Sequence, residues 1–456
     1  MLTYYLKTFG CQMNEEESLR IRDFLGGFKI KENSKPTDAD IIIINTCSIR
    51  QTAEDRLTGL IDSIRTGQKG KTAKIAVTGC IAGLALDQYK RYQLSKSLLR
   101  KLNTVDLFFT AEEVDKLASL LPEVYSEENY YNLKHTVSPI SAFVPIMKGC
   151  DNYCSFCIVP FSKGPERSIP APEILQEIQK LTDQGIKEVL LLGQKINSYE
   201  LEGEKRTLWA KKKLKDPQTP HPLTTLLEKI QEKTKLERIF FMTSYPTDFT
   251  DDLIEAIRVL PKVGEYIHIP VQSGSTKILK SMQRRYSRPQ LDDLLDKIVS
   301  QLPNLHLSTD FIVGFPGETE VDFTKSKELL EKYPFDMAYI APYSPRPGTT
   351  SASMIDDIPR KEKKDRWAEL TKILEQSALQ QNKQYLGKKG TVLIGRKKRT
   401  VAMGRLPNYK EVEIHDPSVN IGDIVPVEII TTDAWRLVGA ILGRPTVLPG
   451  QAGIHS

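Results

Sequence analysis

The sequence predicts an α/β protein with three parts: an N-terminal doubly wound parallel sheet, a central partial (β/α)6 barrel and a small C-terminal antiparallel β-barrel. Three observations support this fold class. Strand, loop and helix patterns alternate through the first third of the chain, six further strand–helix units follow, and about 70 residues of short strands with glycine turns come last. A chain of 456 residues, 40% hydrophobic and 27% charged, is long enough for about three domains.

The same sequence bounds the cellular location. No apolar run approaches the roughly 18 residues that a membrane-spanning helix needs. The N-terminus, MLTYYLKTFGCQ, has neither an apolar core segment nor a small-residue cleavage site of the kind found in secretory signals. We therefore expect a cytoplasmic protein that does not enter a membrane. The net charge of +6 is too small to indicate a nucleic-acid partner by itself.

The first predicted domain, residues 1–130, alternates strands with helices. Asn14 fits the N-cap of its first helix, with Glu17 three residues further on. The continuous apolar run Ile41–Ile44 is typical of a strand buried in a parallel sheet. The predicted strands are Thr3–Phe9, Asp40–Asn45, Lys74–Thr78 and Thr104–Thr110, and the predicted helices lie near Glu15–Leu25 and Thr52–Arg65.

Three cysteines follow three of these strands. Cys11, Cys47 and Cys80 each come directly after a predicted strand, in successive strand–helix units. Ligands of doubly wound sheets bind outside the carboxyl ends of the strands. We therefore expect the three thiols, far apart in sequence, to meet at one edge of the sheet and share a ligand. The alternative is that each cysteine is a small buried hydrophobic residue.

The second predicted domain, residues 136–375, repeats the strand–helix pattern six times after a polar linker, Tyr125–Thr136. Six units predict an open or incomplete barrel, because the usual closed barrel has eight. The segment Leu201–Pro222 carries a lysine run and several prolines and is predicted to be an inserted surface loop. The predicted strands are Phe143–Lys148, Glu188–Leu192, Arg238–Thr243, Tyr266–Pro270, Leu305–Val313 and Met337–Pro342.

The third predicted domain, residues 383–445, follows a charged helix at Arg360–Tyr385. It contains the strongest local charge of the chain: eight basic residues and no acidic residue between Leu386 and Lys410. Such a stretch indicates a surface for a polyanion, and a solvated face is the alternative. The predicted strands are Gly390–Ile394, Thr400–Arg405, Glu411–Ile414, Ile424–Ile430 and Trp435–Leu442.

A second set of cysteines lies on one short loop after the first barrel strand. Cys150, Cys154 and Cys157 follow the spacing Cys-x3-Cys-x2-Cys, with no fourth cysteine or histidine nearby. Structural zinc requires four nitrogen or sulfur ligands in a closed tetrahedron. Three thiolates suit a 4Fe-4S cluster better, because the fourth iron then stays open to a small ligand. Zinc remains the less favoured alternative.

This motif at the start of a β/α barrel resembles the radical S-adenosylmethionine (SAM) superfamily, in which the open iron chelates SAM. The flanks of the other cysteines, Gly-Cys-Gln-Met-Asn, Asn-Thr-Cys-Ser-Ile-Arg and Thr-Gly-Cys-Ile-Ala, are similar to the N-terminal domain of the radical SAM methylthiotransferase family. The barrel segments that begin at Leu192, Thr243, Pro270, Asp310 and Tyr343 match family motifs in the right order. The terminal barrel resembles a TRAM domain, an RNA-binding module, so the resemblance covers essentially the whole chain.

The resemblance implies roles for particular residues. Both cysteine triplets become metal ligands, the N-terminal one for an auxiliary 4Fe-4S cluster. SAM has a charged amino-acid portion, a ribose and an adenine, so its site needs polar side chains near strand ends; ordinary strand-terminal polar groups are the alternative. The SAM-binding candidates are Phe156, Gln194, Ser244, Gln272, Gly314 and Arg346. The RNA-binding candidates are Arg396, Lys397, Lys398, Arg399, Arg405, Trp435 and Arg436.

Within the family, Gly-Cys-Gln-Met-Asn and Gly-Gln-Lys-Ile-Asn-Ser-Tyr are most similar to the tRNA-2-methylthio-N6-dimethylallyladenosine synthases. This resemblance implies methylthiolation of carbon 2 of N6-isopentenyladenosine next to the tRNA anticodon, at position 37, with two SAM molecules and two 4Fe-4S clusters. Related family members act on threonylcarbamoyl-adenosine in tRNA or on an aspartate of a ribosomal protein. A non-catalytic, zinc-containing RNA-binding protein is the distant alternative. The implied partners are the tRNA, an electron donor such as flavodoxin or ferredoxin, and a sulfur source, and we expect a monomer.

One segment departs from the family pattern. A few residues after the glycine that matches Gly164, the family usually has a Ser-Arg pair. Here the run is Pro165-Glu-Arg167-Ser168-Ile169, so isoleucine stands in place of that arginine. Isoleucine cannot donate the hydrogen bonds that an arginine would, and Arg167 is the substitute that the sequence offers.

Overall fold

The computed structural model describes residues 2–47, 51–67, 73–86, 96–122 and 136–444. The chain divides into two compact units. The first contains Met1–Val137, Lys148–Arg167 and Ser344–Met354, and the second contains Ser138–Met147, Ser168–Tyr343 and Ile355–Ser456. These units differ from the predicted domain boundaries, because the loop that carries Cys150 packs with the N-terminal residues. The predicted linker lies almost entirely outside the described residues.

The first unit is built on a five-stranded parallel sheet with strand order β2-β1-β3-β4-β5. Alternate isoleucines of β3 pack on opposite faces: Ile42 and Ile44 in one core, Ile41 and Ile43 in the other. The predicted doubly wound sheet is confirmed. Its strands are β1 Thr3–Phe9, β2 Lys31–Glu32, β3 Ile41–Thr46, β4 Lys74–Gly79 and β5 Leu107–Phe108, and its helices are α1 Gln12–Gly27, α2 Gln51–Gly67, α3 Cys80–Ala85 and α4 Lys96–Leu102.

The second unit contains the open barrel. Its six parallel strands fall into two sheets, with orders β11-β10-β7 and β12-β13-β14, and the short β6 extends the first sheet beside β7. The expected six strands are confirmed, with bounds shifted by a few residues. The strands along this part of the chain are β6 Thr136–Ser138, β7 Ser141–Pro145, β8 Met147–Lys148, β9 Arg167–Ser168, β10 Glu188–Leu192, β11 Arg238–Phe241, β12 Tyr266–His268, β13 His306–Val313 and β14 Phe335–Pro342.

Helices connect these strands. The segment that was predicted to be a surface loop, Leu201–Pro222, contains the helix α7, because its central residues are mostly strong helix formers. No helix among the described residues is long and apolar enough to cross a membrane. The helices are α5 Val159–Ser162, α6 Ala171–Asp183, α7 Glu204–Lys215, α8 Pro222–Lys233, α9 Asp251–Val259, α10 Thr276–Ser281, α11 Arg288–Gln301, α12 Glu320–Lys332 and α13 Arg360–Lys383.

The C-terminal strands form a closed five-stranded barrel with order β15-β16-β17-β19-β18. Four of its five pairings are antiparallel, as expected, but β17 and β19 run parallel. Side chains of alternating residues, such as Val392, Ile414 and Val427, fill the interior. The strands are β15 Lys389–Lys398, β16 Val401–Arg405, β17 Glu411–His415, β18 Ile424–Thr432 and β19 Leu437–Ile441.

This small barrel packs against the amino-terminal ends of the strands of the open barrel. Arg405 Nη1 lies 2.7 Å from Oε1 of Glu188, the first residue of β10. Lys410 Nζ lies 2.5 Å from Oδ1 of Asp336, at the start of β14. The carboxyl ends of the strands, where β/α barrels bind their substrates, are therefore at the opposite end of this unit.

Candidate metal and cofactor site

The three N-terminal cysteines follow strand ends that lie in register. Phe9, the last residue of β1, pairs with Thr46 of β3, and Thr46 pairs with Gly79 of β4. Cys11, Cys47 and Cys80 come one or two residues after these positions. Cys47 and Cys80 are buried and Cys11 is exposed. The parallel register thus brings three distant segments of the sequence to one edge of the sheet, as the sequence predicted.

A buried pair of asparagines connects the turns that carry these cysteines. Asn14 Nδ2 donates to Asn45 Oδ1 at 2.8 Å, and Asn45 Nδ2 donates to the Asn14 carbonyl at 2.7 Å. The backbone N–H of Cys11 donates to Asn14 Oδ1 at 3.3 Å. Asn14 is 1% exposed and Asn45 is fully buried, so these amides are satisfied by each other instead of by water.

The third turn is fitted to the same pair. Gly79 has a φ of +83°, a region that favours glycine. A Cβ at this position would lie 2.5 Å from Asn45 Oδ1 and 2.8 Å from Asn14 Nδ2. The Thr46 carbonyl oxygen would be nearer still, at 2.4 Å. The residue before Cys80 is therefore glycine because this carbonyl and the asparagine pair occupy the space of a side chain. The two asparagines contact all three turns that lead into the cysteines.

The second cysteine triplet lies on a loop that is closed at its base. The Cys150 N–H donates to the Gly164 carbonyl at 3.1 Å, and the Asp151 N–H donates to Glu166 Oε1 at 3.2 Å. A Cβ on Gly149 would lie 2.0 Å from the Pro165 carbonyl oxygen, so only glycine allows the two ends of the loop to approach this closely. Further along, the Cys157 N–H donates to the Cys154 carbonyl at 2.9 Å.

The two cysteine-bearing regions pack together within the first unit. α3, which begins at Cys80, lies against α5, which begins two residues after Cys157. A Cβ on Gly83 of α3 would lie 2.1 Å from the Ser162 carbonyl oxygen of α5. The next residue, Lys163, forms an ion pair with Glu17 of α1. Burial alone would lower the pKa of Lys163, but Glu17, Cys80 and Cys11 together raise it above its ordinary value.

The chemistry of these donors fits iron–sulfur clusters. Among the described residues, no three His, Cys, Asp or Glu side chains converge as ligands of one metal ion would. Each set offers three thiols, one set on a single loop and the other at one sheet edge. Three cysteine ligands suit a 4Fe-4S cluster with one open iron better than a structural zinc site, which requires four ligands.

Buried polar atoms in the second unit mark where a cofactor could bind. Gln194 Oε1 and Ser244 Oγ are buried at the carboxyl ends of β10 and β11, and neither has a hydrogen-bond partner among the described residues. Thr243 and Gln272, which follow β11 and β12, have φ values of 71° and 68°. Unsatisfied polar atoms and strained backbone at strand ends are typical of ligand sites. These features fit SAM, which is rich in donors and acceptors.

The other predicted SAM contacts are placed differently. Phe156 is half-buried within the cysteine loop. Arg346 is 3% exposed, and its Nη1 donates to Glu54 Oε1 at 2.9 Å in the first unit. A Cβ on Gly314 would lie 2.4 Å from Cγ of Lys363, so packing against α13 already requires glycine at this position.

Two family models match parts of this chain. Residues 144–330 match the Radical SAM superfamily, and residues 3–101 match Uncharacterized protein family UPF0004. A tRNA-2-methylthio-N(6)-dimethylallyladenosine synthase from Caldicellulosiruptor saccharolyticus is 36% identical over 96% of this chain and 92% of its own length. This chain belongs to the radical SAM methylthiotransferase family. A synthase of the same name from Clostridium botulinum is also 36% identical, over 96% of both chains.

Solved structures are more distantly similar to this methylthiotransferase. The radical S-adenosylmethionine methyltransferase TsrM from Kitasatospora setae aligns with a TM-score of 0.44 and 10% sequence identity, over 77% of each chain. Methylornithine synthase aligns with a TM-score of 0.36 and 17% identity, over 64% of this chain and 77% of the other.

The structure of the methylthiotransferase also reveals groups at the strand ends that the sequence did not single out. His268 ends β12; its Nδ1 lies 2.9 Å from Ser308 Oγ and its Nε2 lies 3.3 Å from Asp310 Oδ2. Asn197 binds the backbone of Tyr245 through both its amide atoms, at 2.7 and 2.8 Å, and so joins the turns after β10 and β11. Asp310 and Asn197 lie inside segments that match family motifs, and this match could have indicated them from the sequence.

The residues predicted to bind RNA all lie on the small barrel, but Arg405 also contacts the open barrel. Arg396, Lys397 and Lys398 lie on β15 instead of between two strands, and only Arg399 is in the turn. Trp435 is 49% exposed. The guanidinium of Arg436 lies 3.1 Å from both Glu413 and Asp433. Arg405, in contrast, donates from Nη1 to Glu188 where the small barrel packs against the open barrel, and its Nη2 lies 3.6 Å from Glu411.

Proposed function

We propose that this methylthiotransferase modifies carbon 2 of N6-isopentenyladenosine next to the anticodon of tRNA, at position 37, and uses two SAM molecules and two 4Fe-4S clusters. The observation that carries the proposal is the presence of two separate thiol triplets in one compact unit, each held by its own turns. The match to the curated synthases along nearly the whole chain supports the choice of substrate.

Each thiol triplet would hold one cluster. When bound, the cluster on Cys150, Cys154 and Cys157 would supply the electron that cleaves SAM to methionine and a 5′-deoxyadenosyl radical, and the auxiliary cluster would supply the sulfur. The asparagine pair orients the auxiliary thiols. Burial raises the pKa of the Cys11 thiol, and the positive charge of the half-buried Lys163 opposes that rise.

The carboxyl ends of β10 and β11 would position SAM. Gln194 Oε1 and Ser244 Oγ offer buried acceptors to the donors of SAM, and burial makes such hydrogen bonds costly to leave unmade. Asn197 holds the two turns at a fixed separation through Tyr245, which keeps the two side chains preorganised. Gln272 follows the next strand of the barrel.

For tRNA, we propose that Arg396, Lys397, Lys398, Arg399, Trp435 and Arg436 form a contact surface on the small barrel. Position 37 lies in a single-stranded loop, the form of RNA whose base edges are accessible. Phosphate contacts release counterions, so replacing Arg396–Arg399 with alanine should flatten the salt dependence of tRNA binding by up to about four units, at roughly 0.9 or less per contact. Equal affinity and parallel salt lines would contradict this surface.

The remaining parts of the proposal concern partners and location. SAM cleavage consumes an electron, so the enzyme needs a donor such as flavodoxin or ferredoxin, and the product carries a sulfur that a separate source must replace. We propose that it acts as a monomer in the cytoplasm, where its tRNA substrate would be found.

The decisive experiment combines metal analysis with product analysis. Protein purified without oxygen should be brown and contain about eight irons per chain, and nucleosides from treated tRNA should gain one methylthio group on isopentenyladenosine by mass spectrometry. Product on threonylcarbamoyl-adenosine or on a ribosomal protein would replace the proposed substrate. A colourless protein with zinc and no product would refute the enzyme altogether.

A further inference from the structure

The helix α7 lies at the substrate-bearing end of the open barrel. Arg206 anchors it there: Nη1 donates to Asp248 Oδ1 at 2.8 Å, and Nη2 donates to Asp248 Oδ2 at 3.0 Å and to Ser198 Oγ at 2.9 Å. Ser198 follows β10 and Asp248 follows β11, so both are on the carboxyl side of their strands. The small C-terminal barrel packs against the other end, so its basic residues do not line this end of the unit.

The charge of α7 is strongly positive. Its twelve residues contain six lysines or arginines and one acidic residue, Glu204. Besides Arg206, two of the six have acidic partners: Lys205 lies 2.6 Å from Glu202 and Lys213 lies 3.1 Å from Asp252. The other three are exposed, and none forms an ion pair within the described part of the chain; they are Lys211, Lys212 and Lys215.

These three lysines share one side of the helix. Positions i, i+1 and i+4 fall within about a 100° arc, because each residue turns the helix by roughly 100°. Beside Lys212, a groove of about 430 Å³ runs between α7 and α8 and is also lined by Trp209 and Lys229. Lys213 Nζ lies 5.1 Å from the centre of the Trp209 ring, and Lys212 and Lys229 line the groove beside it. An aromatic ring beside lysines is a combination that RNA-binding surfaces use for bases and phosphates.

We propose that α7 is a second RNA-contact element, whose Lys211, Lys212 and Lys215 bind phosphates of the tRNA at the end of the barrel where the target base must enter. This inference rests on the proposed tRNA substrate. The phosphates near the target base would then be bound by the open barrel, in addition to any phosphates bound by the C-terminal barrel. Charge complementarity favours RNA over a membrane, because the exposed apolar residues of α7, Leu208 and Leu214, are few.

The test compares tRNA binding by three proteins across a salt series, by fluorescence anisotropy without oxygen. The first is the wild type, the second carries glutamine at the three α7 lysines, and the third carries glutamine at three exposed lysines of α12 and α13. The control positions, Lys325, Lys364 and Lys372, likewise form no ion pair within the described residues. A fourth protein with glutamate at the α7 positions adds charge reversal, and thermal unfolding of all four checks that they fold.

We expect the α7 glutamine variant to bind tRNA at least tenfold more weakly at low salt, with a salt slope reduced by about two to three units, since each lost contact contributes roughly 0.7–0.9. The glutamate variant should bind more weakly still, and the control should parallel the wild type. An α7 variant that parallels the control overturns the inference. The inference is also overturned if the α7 variants lose binding to phosphatidylglycerol vesicles but keep their binding to tRNA, because α7 would then contact a membrane. A wild type that binds no tRNA refutes the proposed function as well.

Discussion

Replacing Asn45 with alanine tests whether the asparagine pair holds the auxiliary thiols in place. The substitution removes two hydrogen bonds donated by Asn45 Nδ2, at 2.7 Å to the Asn14 carbonyl and 3.0 Å to Ser18 Oγ, and one accepted from Asn14 at 2.8 Å. A buried group left without a partner costs about 1–3 kcal/mol. Ser18 keeps its contact with Thr8, at 2.7 Å. We therefore expect the free energy of unfolding to fall by about 2–4 kcal/mol.

The informative assay is the iron of the auxiliary site. In a parent protein with Cys150, Cys154 and Cys157 replaced by alanine, about four irons per chain should remain. Adding the Asn45→Ala change should lower this content at least twofold and alter the electron paramagnetic resonance spectrum of the reduced cluster, because the turns before Cys11 and Cys80 both lose their support.

A matched control separates this effect from general destabilisation. Asn382 is also buried, and its Nδ2 donates to two backbone carbonyls, of Asp433 at 2.9 Å and Ala434 at 3.1 Å. Asn382→Ala should cost similar stability and leave the auxiliary iron unchanged. The reasoning would be refuted if Asn45→Ala kept its iron and spectrum, or if Asn382→Ala lost them equally.

Three further outcomes are expected. Alanine at Cys150, Cys154 and Cys157 should abolish SAM cleavage, measured as 5′-deoxyadenosine, without removing auxiliary iron; loss of all iron would contradict independent sites. Gln194→Leu should weaken SAM binding about tenfold in anaerobic calorimetry, since it removes a buried acceptor. Burial lowers the pKa of His221 from 6.5 to about 4, so the folded protein binds this proton less readily than the unfolded chain does. The free energy of unfolding should therefore fall by up to roughly 3 kcal/mol as the pH is lowered from 6.5 to 4. His221→Asn should flatten that slope in urea titrations.

The order of strands and the chemistry of the thiols could be read from the sequence. Apolar runs such as Ile41–Ile44 predict buried parallel strands, and cysteines directly after strands predict a shared edge, because period and burial are local properties of the chain. The spacing of Cys150, Cys154 and Cys157 is likewise local. The fold class and the family followed from these patterns, and the structure and the comparisons confirm both.

Only the tertiary structure decided which polar groups pair with each other inside the protein and which stay available to bind a ligand or RNA. Arg405 and Lys410 belong to the same basic run as Arg399, yet they pair with Glu188 and Asp336 of the open barrel. The prediction of Asn14 as an N-cap was wrong, because the helix begins at Gln12 with Cys11 as its N-cap. Asn14 lies in the first turn and binds Asn45, 31 residues away. Side-chain partners of this kind depend on which strand ends meet in space, and that is set by packing of the whole unit instead of by neighbouring residues.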